Sequence, residues 1–158
     1  MLPPSFITHF SSTTNPTGPA CITFTPLLSV LYEDAQEEEE AAANNNDNNA
    51  LPPLEIIYVS SDTSATACNA YMTAKHADWL RVPYVERQAY KQRYGVFAGK
   101  EQTDFPNVPR RSGIPTLVIV APDGTAHDIL DCDNATVVRD VERQGVAYLE
   151  RWRNYAWK

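Results

Sequence analysis

Ile114-Pro115-Thr116-Leu117-Val118-Ile119-Val120-Ala121-Pro122-Asp123-Gly124-Thr125 is the stretch from which the fold can be read. Thr116 to Ala121 is a continuous apolar run, mostly β-branched, with no alternation, as expected of a strand buried on both faces. Pro122-Asp123-Gly124-Thr125 has the residues of a hairpin turn, so His127 to Leu130 is predicted as the returning edge strand. Leu54 to Val59 (LEIIYV), bounded by Pro53 and Ser60, reads as a second central strand. Ser5 to Phe10 alternates and predicts a third.

Helical spacing fills the intervals. Phe24, Leu27, Leu28 and Leu31 share one face of a helix over Cys21 to Asp34, with Pro26 kinking its first half. Asp62-Thr63-Ser64 can cap a helix running to about His76, with Cys68, Tyr71 and Met72 inward. A further helix covers roughly Glu86 to Tyr94. Asn134 begins a final one, with Val138, Val141, Gly145, Tyr148, Leu149 and Trp152 on one face. The order predicts an α/β fold, a central mixed sheet flanked by helices. The 158 residues suit a single domain, 1–158.

Charge and composition narrow the functional classes. The chain carries 13 Lys and Arg against 20 Asp and Glu, a net charge of −7. Glu33, Asp34, Glu37, Glu38, Glu39, Glu40 and Asp47 account for that excess, so the acidity belongs to one segment. Glu33 to Pro53 reads as an acidic, Asn-rich, disordered insert whose Glu-Ala part can extend the helix ahead of it. No Lys or Arg precedes Lys75, and the cations after it are interspersed with acids. The basic patch of a nucleic-acid binder is therefore missing. No apolar run approaches the ~20 residues of a membrane helix. Neither a basic n-region nor an Arg-rich presequence is present, and three widely spaced cysteines make no disulfide framework, so a cytoplasmic address is expected. His9, His76 and His127 form no metal spacing with the cysteines. Asn134-Ala135-Thr136 matches a glycosylation sequon but reads as a helix cap.

The ordered motifs resemble thioredoxin-fold proteins, and more particularly tryparedoxins and nucleoredoxin-like proteins. Ile114-Pro115-Thr116-Leu117-Val118 followed by Pro122-Asp123-Gly124 is similar to the cis-proline strand and hairpin of that fold. Phe24-Thr25-Pro26, just after Cys21, is similar to the helix that follows the CxxC motif. Val59-Ser60-Ser61-Asp62, Trp79-Leu80 with Val82-Pro83-Tyr84, Arg93-Tyr94-Gly95-Val96 leading to Gly113-Ile114-Pro115, and Arg143-Gln144-Gly145 ending at Trp152 complete the set. The resemblance spans about Cys21 to Trp152, interrupted by two inserts. It implies a thioredoxin fold, N-terminally shortened, since relatives have a further strand and helix before this region and Met1 lies only 20 residues ahead of Cys21.

The resemblance also implies thiol–disulfide exchange without a cofactor. In the family a WCxxC motif opens the first helix. Its first Cys attacks a disulfide as the thiolate, and the second resolves the mixed disulfide. The partners implied are protein disulfides or low-molecular-weight thiols of the glutathione or trypanothione type. No nucleic acid, membrane or metal is implied.

This chain departs from the motif. Thr17 replaces the Trp, Gly18 stands in the attacking position, and only Cys21 remains, in the resolving position. Cys21 is the candidate catalytic thiol; the alternative is a small hydrophobe packed beneath the first turn. Thr17, Gly18, Pro19 and Ala20, with Ile114 and Pro115, would line the substrate groove. If the bond before Pro115 is cis, the Ile114 backbone can pair with an extended substrate. A peroxiredoxin mechanism would need Thr or Ser at Gly18. Cys68 and Cys132 read as structural, the latter flanked by Asp131 and Asp133, which disfavour a thiolate.

Phe97 to Gly113 is the second insert. It ends beside the cis-proline loop and carries Phe97, Phe105, Lys100, Arg110 and Arg111. It is either a lid selecting a partner or an anionic thiol, or a surface excursion packed on its own two Phe residues. Two classes follow: an oxidoreductase with activity weakened or lost through Gly18, or a redox-inactive binding module that keeps the groove.

Overall fold

A computed structural model describes residues 5–11, 20–45, 53–75 and 77–153. The strands are β1 (Ser5–Ser11), β2 (Leu54–Ser60), β3 (Leu80–Arg81), β4 (Thr116–Val120) and β5 (Ala126–Asp131). The helices are α1 (Ala20–Asn44), α2 (Ala65–Lys75), α3 (Arg87–Tyr94), α4 (Ala135–Gln144) and α5 (Val146–Arg153). One sheet runs in the order β3-β2-β1-β4-β5. β1, β2 and β3 are parallel, and β4 runs antiparallel to both β1 and β5. This is the mixed sheet flanked by helices that the hydrophobic runs predict.

Strand alternation divides the interior into two cores. Ile7, Leu54, Ile56, Tyr58, Leu117 and Ile119 face α1, α4 and α5, packing on Phe24, Leu28, Val141, Tyr148 and Leu149. Phe10, Val59, Val118 and Val120 face the other way, toward Tyr94 of α3 and Val96. β1 lies centrally, so His9 and Ser11 point into the first core while Thr8 and Phe10 point into the second.

Two expectations are adjusted by the structure. The Glu-Ala half of the first insert takes the helical option that the sequence allows rather than the disordered one: α1 continues through it to Asn44. Glu and Ala are strong helix formers, and Ala35 is fully buried. Gln36 Nε2 donates to the Leu54 carbonyl at 3.2 Å, and Glu39 Oε1 accepts the Leu54 amide at 3.0 Å, fastening the acidic half to the start of β2. The Asn tract from Asn46 lies outside the described residues. The final helix is two helices, because Gly145 adopts φ 57° and closes α4 with its amide on the Val141 carbonyl at 2.9 Å. α2 is capped from the Asp62-Thr63-Ser64 stretch, as expected, by its last residue: Ser64 Oγ accepts the Ala67 amide at 3.1 Å, while the Asp62 carboxylate turns inward. Asn134 caps α4 through the Thr136 amide at 2.9 Å. Among the described residues no helix is long and apolar enough to cross a membrane.

Candidate functional site

Open α/β sheets bind ligands beyond the carboxyl ends of their parallel strands, where the connections diverge. Here those ends are Ser11 of β1 and Ser60 of β2, tied by the Ser61 amide on the Ser11 carbonyl at 2.8 Å. α1 starts just beyond them, and Cys21 is its second residue. Cys21 is only 2% exposed and lies in one buried cluster with Phe10, Val59, Val118 and Ile114. The Tyr71 hydroxyl, from α2, donates to the Cys21 carbonyl at 3.1 Å and so holds the first turn against the neighbouring helix. The Ile114–Pro115 peptide bond is cis. Pro115 is anchored through its carbonyl, which accepts the Cys132 amide at 3.0 Å.

The sequence that builds this arrangement is matched by a family model. The model of thioredoxin-like proteins aligns with residues 10–126. The chain belongs to the thioredoxin-like family. No curated protein matches it. Among solved structures, tryparedoxin from Trypanosoma brucei is 20% identical, covering 95% of this chain and 80% of its own, with a TM-score of 0.54. Thioredoxin from Wuchereria bancrofti is 24% identical over 94% of this chain and 78% of its own, at 0.51. Native tryparedoxin I from Crithidia fasciculata is 23% identical over 98% and 79%, at 0.51. At these identities the likeness establishes a shared fold.

Within this thioredoxin-like site, the residues singled out in the sequence fall unevenly. Cys21 and Ile114 come together in one cluster, and Pro115 follows directly. Ala20 opens α1, while Thr17, Gly18 and Pro19 lie outside the described residues. Cys68 and Cys132 are buried, and no described cysteine is in a disulfide. Burial, above all, pushes the Cys132 thiol up, with Asp131 and Cys21 adding to it. Among the described residues no three His, Cys, Asp or Glu side chains converge as a metal site.

Sequence reasoning missed the polar layer beneath the site. His9 Nε2 lies 3.1 Å from Thr25 Oγ1, which is 3.4 Å from Ser11 Oγ. The Tyr58 hydroxyl donates to Asp62 Oδ2 at 3.2 Å, and Ser60 Oγ donates to the same oxygen at 2.8 Å. The Tyr84 hydroxyl donates to the Asp62 carbonyl at 2.8 Å. Burial raises the Tyr58 and Tyr71 phenols above their ordinary range. These groups fix the carboxyl ends of β1 and β2 as a rigid platform under α1.

The second insert is fastened to the same end. Val96 and Ser112 form a parallel bridge, and the Arg111 amide donates to the Gly95 carbonyl at 2.7 Å. Within the closed loop, a 3-10 helix spans Gly99–Asp104. Phe97 and Phe105 pack with ring centroids 4.7 Å apart. Glu101 is its anchor: it pairs with fully buried Lys91 at 2.5 Å and accepts Ser61 Oγ at 3.0 Å and the Ala98 amide at 2.9 Å. Burial lowers the Lys91 pKa, while Glu101 opposes that shift. Arg110 Nε donates to the Phe97 carbonyl at 2.9 Å. Its guanidinium lies over Gly113, where a Cβ would fall 2.6 Å from an Arg110 terminal nitrogen.

Proposed function

We propose that this chain is a thioredoxin-like protein of the thiol–disulfide oxidoreductase class, of tryparedoxin or nucleoredoxin type. It acts on protein or glutathione-type disulfides in the cytoplasm, with turnover weakened or lost because Gly18 stands where the attacking Cys would be. The observation that supports this reading is Cys21 in the first turn of α1, sharing a buried cluster with Ile114 of the cis-proline loop. The groove would be lined by Thr17, Gly18, Pro19, Ala20, Ile114 and Pro115.

Cys21 alone supports a one-thiol cycle. Its thiolate attacks one sulfur of a disulfide, the other half leaves as a thiolate, and a mixed disulfide remains on Cys21. A second small thiol of glutathione type then attacks the mixed disulfide, restoring Cys21 and leaving with the bound half as a new disulfide. The burial of Cys21 favours the alternative, a redox-inactive binding module that keeps the groove and recruits a partner.

Reduction of insulin disulfides by a dithiol donor separates the two. The enzyme reading expects slow reduction that Cys21→Ser abolishes, and sharply faster turnover for Gly18→Cys. A silent natural protein with an active Gly18→Cys variant would favour the binding module. Silence in both would remove the oxidoreductase reading altogether.

A further inference from the structure

An open pocket lies over the second core, at the other end of β4 from Pro115. It has a volume of about 630 Å³, within the roughly 300–1,000 Å³ of small-molecule sites. Thr8, Ile57 and Val120 of the sheet form its floor, α3 one wall, and the turn after β4 the other. The space has a local cause. Next along β1, the Phe10 ring is met edge-on by Tyr94, with centroids 6.2 Å apart. At Thr8 the strand has a short side chain, and α3 contributes Ala89, so that level is left unfilled. Thr8 is 2% exposed and gives the otherwise apolar floor a hydroxyl.

Charge selects among possible occupants. Arg93 is the one charged residue of the lining, and it lies at the exposed rim. Its guanidinium rests above the Tyr94 ring, 5.8 Å from the centroid, and against the turn at Gly124. The nearest acid on that turn, Asp123, directs Oδ1 to the Thr125 amide at 2.8 Å. Its carboxyl is held below the usual range first by that turn and only then by Arg93. The rim therefore offers a cation above an apolar chamber.

We propose that this cavity binds a small apolar carboxylate, its hydrocarbon body on Ile57, Val120 and Pro122 and its carboxylate at Arg93. The site is separate from Cys21 and independent of any redox activity. Titration calorimetry of the full chain with octanoate, and in parallel with octan-1-ol, tests it. Octanoate should bind saturably at one per chain, roughly fivefold tighter than the alcohol, the size of an exposed charge pair. Arg93→Gln should erase that difference while leaving the alcohol unchanged. Ala89→Trp and Ala121→Phe fill the cavity from opposite walls, and each should weaken both ligands at least about tenfold. Should one variant fail to fold by circular dichroism, the other carries the same test. No saturable uptake, uptake indifferent to the folded filling variants, or equal affinity for acid and alcohol would each overturn the proposal.

Discussion

The first turn of α1 and the loop from Gly95 to Thr116 approach the same buried cluster, yet they are held by different means. Among the described residues, the helix turn is held by a bond from the Tyr71 hydroxyl to the Cys21 carbonyl and by the packing of Cys21. The loop is closed by a backbone bridge, stacked on two phenylalanines and pinned by an ion pair whose lysine is fully buried. The loop is thus secured through both backbone and buried side chains.

Glu101→Ala is the harshest test of that difference. It leaves Lys91 charged and unpaired in the interior, and removes the acceptor for Ser61 and the Ala98 amide. The expected loss is about 3–5 kcal/mol, a drop of about 10 °C in melting temperature for a chain of this size. Lys91→Met combined with Glu101→Leu should recover much of it, since neither charge is then buried. A Glu101→Ala melting curve that overlays the natural one would mean the loop is not pinned there.

Gly95→Ala should come next. Gly95 has φ +66°, and a Cβ there would meet the Pro109 carbonyl oxygen at 2.6 Å. Backbone strain of this kind costs about 1–3 kcal/mol. Gly113→Ala is the sharpening control: its Cβ would meet only the flexible end of Arg110. Urea midpoints should fall clearly for the first and little for the second; equal shifts would contradict the distinction between a rigid and a yielding neighbour.

These two effects also mark what sequence reading can reach. The two central strands β2 and β4 were legible because TLVIV is an unbroken run and LEIIYV is interrupted only by Glu55, while two-residue β3 carries no such signal. The extent of α1 was half legible: Glu and Ala favour helix, but the bonds from Gln36 and Glu39 to Leu54 close only in three dimensions. Gly145 sits in the apolar face of a helical pattern, and only its positive φ shows that it ends one helix there. At the site, Cys21 and Ile114 could be paired through the family motif. Lys91 could not be foreseen in the polar run RQAYKQRY, because its partner is ten residues away and Ser61 reaches that partner across forty.

The polar platform under α1 gives a pH signature. Burial, the foremost cause in each case, raises the phenols of Tyr32, Tyr58, Tyr71 and Tyr94 above 10. From about pH 10 upward the unfolded chain loses those protons while the folded chain keeps them, so stability falls as pH rises. Lys91 acts in the opposite sense, because its lowered pKa makes the unfolded chain the better proton binder between the two values. Four phenols outweigh one ammonium, and urea midpoints should decline above pH 10. Tyr58→Phe should flatten that decline by up to about 1.4 kcal/mol per pH unit. A midpoint that is level from pH 9 to 11 would show that these hydroxyls titrate as freely when folded as when unfolded.

The smallest expected effect bears most on recognition. Arg110 bonds the Phe97 carbonyl through Nε alone, and the rest of its guanidinium lies over Gly113, one residue before Ile114. Arg111 runs instead along Gly95, with its Cγ 3.0 Å from where a Cβ would be. Of the two adjacent cations, Arg110 is therefore the one beside the proposed groove. In a Cys21→Ser background, which allows binding without exchange, Arg110→Glu should weaken glutathione disulfide roughly fivefold and Arg111→Glu less. Bis(2-hydroxyethyl) disulfide, which carries no charge, should bind the natural and variant chains alike. If Arg110→Glu weakens both disulfides equally, the residue only braces the Phe97 carbonyl. If it weakens neither, the loop is an excursion packed on Phe97 and Phe105, and whatever selects a substrate lies outside it.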